Sequence, residues 1–286
     1  MNYNHLKQSA QKYLNLDIDS RIAVIQREVW VDYGTSEAVF HMMNNIADVP
    51  DRQNAPALLV TGPGGAGKSA IIAKIRNRVK RSEGLIFLSM AESPEIAIKK
   101  SLRTELAIAV GIPIDQHSRV KPGSEIPREI AEVIKLRGFW GVVIDELHDA
   151  LLRPKHEQRI NMSILKKLLS SEYGLKLFCF GTIAAKQALQ SNDEFKRRFF
   201  EVPLKDWIED EAFRAFLLEI EESLPLKKPS NLYSKEMVKE ILHTTSGRMD
   251  STISLIRSAA CYALRSGAEF IDVDFLQRAK RNPWGY

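Results

Sequence analysis

Residues 62–69 read Gly-Pro-Gly-Gly-Ala-Gly-Lys-Ser, the G-x-x-x-x-G-K-[ST] spacing of a phosphate-binding loop. Gly62, Gly64, Gly65 and Gly67, with Pro63 and Ala66 between them, let successive backbone N–H groups turn inward around an anion. A helix starting here adds the positive end of its dipole. Lys68 is then placed to reach the β- and γ-phosphates of ATP, and the Ser69 hydroxyl to ligate Mg²⁺. A second group lies at Gly141-Val142-Val143-Ile144-Asp145-Glu146, an apolar run ending in two carboxylates. Such a pair at a buried strand end is costly unless a cation or water receives it. Asp145 is the expected Mg²⁺ partner, acting through water, and Glu146 the expected base for the attacking water.

Two further stretches could complete this chemistry. Gly181-Thr182 follows an apolar run, where Thr182 could hold the water against the γ-phosphate; the other reading is a helix N-cap, and both can hold. Lys196-Arg197-Arg198 precedes another short strand. A guanidinium there, taken as Arg198, is placed to reach the next subunit's γ-phosphate, although one of the two arginines suffices and a solvated basic turn is the alternative. Asp145-Glu146-Leu147-His148 also spells the D-E-x-H box of helicases, but no companion helicase motif follows and 286 residues leave no room for a second motor domain.

These residues need a scaffold. Ala57–Thr61 is apolar enough for a buried strand, and Ile71, Ile72, Ile75 and Val79 keep helical spacing after the loop. Further strands are expected at Leu85–Met90, Trp140–Ile144, Leu175–Phe180 and Phe199–Val202, with helices between them opening at Pro94, Pro127, Gln158 and Ala184. Strands alternating with helices predict an α/β fold with a parallel, doubly wound five-stranded sheet. One strand–helix unit takes about 30 residues, and the stretch from Lys68 to Asp145 is more than twice that. That stretch is therefore expected to hold an extra strand and two helices. This topology, with Glu directly after Asp, suggests the P-loop branch in which an inserted strand separates the two motif strands, unlike GTPases and simple kinases. After Pro203 only helical spacing remains. The expected organisation is an N-terminal arm and helical linker over 1–55, a nucleotide-binding core over 56–204, and a helical lid with a C-terminal tail over 205–286. Residues 1–19 are polar and expected to be loosely held. The run Lys74, Arg76, Arg78, Lys80 and Arg81 is expected to be mostly solvated.

Bulk composition narrows the setting. The chain carries a net charge of +5, mildly basic, which permits nucleic-acid binding without requiring it. No apolar run reaches spanning length and the N-terminus lacks a signal-peptide pattern, so a cytoplasmic protein with no membrane partner is expected. Cys179 and Cys261 fall in apolar patterns and read as core thiols, not a disulfide. The histidines show no metal-ligand spacing.

The whole set resembles the AAA+ ATPases, and more narrowly the TniB/TnsC family of transposition regulators. The resemblance is carried by Arg21-Ile22, Trp30-Val31-Asp32-Tyr33, Pro50 and Arg52 ahead of the loop, and by Asp145-Glu146-Leu147-His148, Phe180-Gly181-Thr182, Arg198-Phe199 and Ser230–Met237 after it. It covers roughly residues 20–280. It implies an AAA+ core with a helical lid, in a bacterial, DNA-associated regulator with ATP and Mg²⁺ as cofactors. Such a protein assembles with copies of itself as a filament or ring on double-stranded DNA, marks a target, and recruits a DDE transposase. The transposase stimulates hydrolysis and disassembly, and a TniQ-type targeting protein meets one end. The resemblance also implies that Trp30 lines the adenine pocket, with a core anchor as the alternative. The sensing arginine at the start of the third lid helix is replaced here by Ser251, leaving Arg248 three residues earlier as the substitute. DNA contacts are implied at Lys99, Lys100 and Arg103, and at Arg119 and Lys121, against the alternative of ordinary solvated faces. A helicase loader or replication initiator acting on single strands, and a nucleotide-dependent scaffold with negligible hydrolysis, are the competing functions.

Overall fold

The structure, a computed structural model, describes residues 3–27, 30–50, 55–92, 100–112 and 126–286. The chain divides into two compact units. One gathers residues 35–64 and 68–204; the other gathers residues 1–34, 65–67 and 205–286.

The first unit is built on a parallel sheet. Its strands are β1 (Ala57–Thr61), β2 (Leu85–Ser89), β3 (Gly141–Asp145), β4 (Lys176–Gly181) and β5 (Phe199–Pro203), in the order β2-β3-β4-β1-β5. All residues of β1 and β4 are buried, which is why these strands read as continuous apolar runs and not as alternating ones. The strand carried by the stretch from Lys68 to Asp145 is β2, at the edge beside β3, whereas the strand that lies between the two motif strands β1 and β3 is β4, which follows Asp145 in sequence. Leu102, Leu106, Ile130, Ile134, Leu165 and Leu168 come from the connecting helices and close one core with Leu88, Ile144 and Cys179.

Two helices, Leu147–Leu151 and Asp193–Arg198, were not legible in the sequence because they are too short to show a period. The second is started by the Asn192 side chain, which accepts from the Glu194 N–H at 3.0 Å. The basic run after the phosphate loop is mostly exposed, as expected, and still makes contacts. Arg78 pairs with Glu37, Lys80 and Arg81 reach Asp48 at 3.2 and 3.5 Å, and Arg76 lies 4.2 Å from the centre of the Phe87 ring. The first of these contacts fastens the helix Gly34–Ala47, and the two to Asp48 hold the residue that follows it.

The second unit is helical. Phe213, Leu217, Val238, Ile241, Ile256, Ala260, Leu264 and Leu276 form its core. Asp210 and Asp272 cap two of its helices, accepting from the N–H groups of Phe213 and Phe275 at 2.8 and 2.9 Å. Arg21 is 2% exposed; its guanidinium donates to Glu269 at 2.7 Å and to the Pro225 carbonyl at 3.0 Å. The N-terminal residues are not a loose arm. Leu6, Ala10 and Leu14, spaced by four, are buried together, and the Lys7 N–H donates to Glu222 at 2.9 Å. At the C-terminus the Tyr286 hydroxyl accepts from Gln26 at 2.9 Å, while Trp284 stays 75% exposed.

Candidate nucleotide site

β1 ends at Thr61 and the helix Lys68–Arg78 begins seven residues later, so the glycine-rich loop has the strand–loop–helix setting its sequence requires. Gly65 and Gly67 have φ of 75° and 89°, a region where other residues are strained. The loop leaves the sheet under restraint: the Gly62 N–H donates to the Gly181 carbonyl at 3.1 Å. Lys68 is 6% exposed, and its Nζ donates to the carbonyls of Gly62 and Pro63, each at 3.0 Å. Its ammonium is thus desolvated and held by the loop's own oxygens, while Ser69 beside it is exposed.

β3 delivers the two carboxylates. Asp145 accepts from the Glu146 N–H at 2.9 Å. Burial pushes the Asp145 carboxyl above the ordinary carboxylate range, and the Glu146 N–H and the charges of Lys68 and His148 only partly offset it. Lys68 and Asp145 therefore feel each other although β4 separates their strands. A half-buried carboxylate raised in this way gains from a cation, and a serine hydroxyl and a carboxylate are hard oxygen donors of the kind Mg²⁺ takes. The residues fit the ion. Glu146 has a φ of 52°, left-handed for a residue with a side chain, and opens the helix Leu147–Leu151.

Thr182 stands at the tip of β4 and at the N-cap of Ile183–Gln190, with no side-chain cap bond, so its hydroxyl is not committed to the helix. Arg198 is paired with Glu194 and 16% exposed, whereas Arg197 is exposed. The neighbouring strand is tied to β1 by Glu201, which accepts from Thr61 Oγ1 at 2.7 Å and faces Lys186 at 2.5 Å.

In the helical unit, Trp30 and Tyr33 have ring centres 6.4 Å apart, and Tyr33 joins an aromatic group with Trp207 and Phe216. Arg248 is ion-paired with Asp206, Nε to Oδ1 at 2.8 Å. The turn ahead of it requires Gly247: its φ is 72°, and a Cβ there would lie 2.1 Å from the Trp207 carbonyl oxygen. Of the expected DNA contacts, Lys100 donates to the Ser89 carbonyl at 3.0 Å and Arg103 is half-buried. Lys99, Arg119 and Lys121 lie outside the described residues. Sequence reasoning missed His148, whose Nδ1 lies 3.1 Å from Glu146 Oε2; it was read only as the last letter of a helicase box, although a side chain two residues past Glu146 on a helix start is within reach of it.

Residues 21–209 match the family described as Bacterial TniB protein. The chain belongs to the TniB family. Its fold is that of the AAA+ ATPases. Similar solved structures include the ORC2 protein of Aeropyrum pernix in ADPNP–ADP complexes, at 17% identity and a TM-score of 0.59 over 92% of this chain and 71% of that one. They include the Walker-type ATPase of Pyrococcus abyssi, at 15% and 0.60 over 90% and 75%, and the Aeropyrum pernix ORC1 protein in complex with DNA, at 16% and 0.51 over 91% and 68%. No curated protein sequence matches the chain. Among the described residues of this TniB-family protein, no helix is long and apolar enough to cross a membrane.

Proposed function

We propose that this TniB-family chain is an ATPase that assembles with copies of itself on double-stranded DNA, marks a target for transposition and recruits a DDE transposase. Hydrolysis drives its release, and a TniQ-type protein is its targeting partner. The observation that carries the nucleotide part is the glycine-rich loop between β1 and the helix Lys68–Arg78, with Lys68 held at its base, and the Asp145–Glu146 pair at the end of β3 in the same sheet.

Residues Gly62–Ser69 would hold the triphosphate, with Lys68 exchanging its two carbonyl partners for phosphate oxygens. Ser69 and Asp145 would hold Mg²⁺, which supplies charge neutralisation on the β- and γ-oxygens. Glu146 takes the proton of the attacking water, and Thr182 orients that water. An arginine of the Lys196–Arg198 turn stabilises the transition-state charge in the neighbouring subunit. Trp30 serves the base and Arg248 senses the nucleotide. The basic side chains at Lys99, Lys100, Arg103, Arg119 and Lys121 bind phosphates without sequence choice, which suits a protein that must mark many targets.

The test combines Glu146→Gln with electron microscopy on duplex DNA, single strands and no DNA, in ATP and in ADP. The expected result is ATP-dependent assemblies on duplex that persist in E146Q while turnover falls about a hundredfold or more. Discrete particles preferring single strands would favour a loader or initiator, and unchanged turnover would remove Glu146 as the base.

A further inference from the structure

Glu146 has company. Its Oε2 lies 3.1 Å from Nδ1 of His148, and the far nitrogen of the same ring lies 3.6 Å from Asp149 Oδ1. One ligating atom from each of these three residues falls within 4.8 Å of the others. The ring is 18% exposed and lies against the tip of β4: a Cβ at Gly181 would come within 3.6 Å of His148 Nδ1 and 3.5 Å of its backbone nitrogen. Gly181 thus leaves the room in which the ring sits, one residue before Thr182.

The helix that carries the ring is itself fixed. Asn161 donates to the Ala150 carbonyl at 2.7 Å, and Arg153, whose side chain is 4% exposed, donates to the Asp149 carbonyl at 2.9 Å and to the Lys100 carbonyl at 3.0 Å. A glutamate left to itself samples several rotamers and loses that freedom when only one is used. A ring on an anchored helix, its buried Nδ1 3.1 Å from one carboxylate oxygen though not aligned for a hydrogen bond, limits the space that carboxylate can sample.

We infer that His148 is a positioning residue for Glu146. It selects the rotamer in which the carboxylate faces the attacking water, and it carries any shift of Gly181–Thr182 at the β4 tip to that carboxylate. The inference rests on the reading of Glu146 as the base. It needs no change of charge on the ring, since a neutral imidazole with its proton on Nδ1 can donate to the carboxylate once the two are in line, a charged one more strongly.

The experiment compares His148→Ala, His148→Asn, E146Q and the H148A/E146Q double variant in the full chain. It measures steady-state ATP turnover with duplex DNA, nucleotide affinity and thermal unfolding. H148A is expected to lower kcat about tenfold while KM and nucleotide affinity stay within about twofold. H148N, which returns an N–H donor near the position of Nδ1, is expected to recover most of the loss. The double variant is expected to be no slower than E146Q alone, because the two residues act as one unit. Turnover of H148A within about twofold of the parent would overturn the inference. So would a joint loss of turnover, affinity and thermal stability that H148N does not repair, which would make the ring a packing residue. If E146Q itself turned over normally, the base assignment would fall and this inference with it; a slow E146Q beside a normal H148A would sink the inference alone.

Discussion

The guanidinium of Arg198 is held by the carboxylate of Glu194, one turn earlier on the same helix. Lys166 reaches the other oxygen of that carboxylate at 2.6 Å, so the pair belongs to a small network. A guanidinium that stabilises charge in a neighbouring subunit has to be available, and by that measure exposed Arg197 is the better placed of the two. Arg197→Ala is expected to cut assembly-stimulated turnover by about a hundredfold or more with the melting temperature unchanged. Arg198→Ala is expected to act mainly on stability, by about 0.5 kcal/mol. Turnover at saturating DNA and thermal melts rank the two, and the reverse ranking would return the role to Arg198.

On the proposed function Lys68 is expected to exchange its two carbonyl partners for phosphate oxygens when nucleotide binds, from a side chain that is already buried. Lys68→Ala is expected to weaken ATP binding by about a hundredfold, in line with the loss of a buried charge-assisted contact of about 3 kcal/mol. Isothermal titration gives the affinity. The ATP-induced rise in melting temperature should vanish at the nucleotide concentration that saturates the parent.

Glu269 sets an acid limit on the helical unit. Burial alone would raise its carboxyl, but hydrogen bonds from Arg21 and from the Lys227 N–H outweigh burial and hold it below the ordinary glutamate value of 4.5. A carboxyl depressed in the folded state contributes fully above its unfolded value, and that contribution is lost as pH falls through the folded one. Glu269→Gln is expected to cost about 3 kcal/mol at pH 7, because buried Arg21 loses its charged partner. The gap between parent and variant should close as pH falls below 4.5, and denaturant melts across that window measure it.

Cys179 and Cys261 are both buried, and burial pushes both thiols up, away from the reactive thiolate. Iodoacetamide at neutral pH is expected to label neither in the native protein and both once it is unfolded. Rapid native labelling of Cys179 would contradict its place in β4.

The scaffold was legible wherever burial is continuous. β1, β3 and β4 are apolar on both faces, so their runs announced them within a residue or two; the length from Lys68 to Asp145 accounts for β2, while the strand between β1 and β3 is β4, which comes later in the chain. What stayed hidden depends on partners far away in sequence. Nothing local says that Arg248 will find Asp206 or that Arg81 will find Asp48. The packing of Leu6, Ala10 and Leu14 escaped because three apolar residues among polar ones make a weak period. Arg198 was singled out by position, and its occupation by Glu194 becomes visible only once the helix Asp193–Arg198 puts them one turn apart.

The left-handed backbone at Glu146 sets fold and chemistry against each other at a single position. A residue with a side chain costs about 1 kcal/mol there relative to one at ease with positive φ. Glu146→Gly and Glu146→Asn should therefore melt higher than the parent while turning over almost nothing. A lineage drifting under demand for heat resistance alone would shed this glutamate early. Its persistence in descendants would then be a fossil of use, and its loss the earliest sign that a copy had stopped cycling nucleotide.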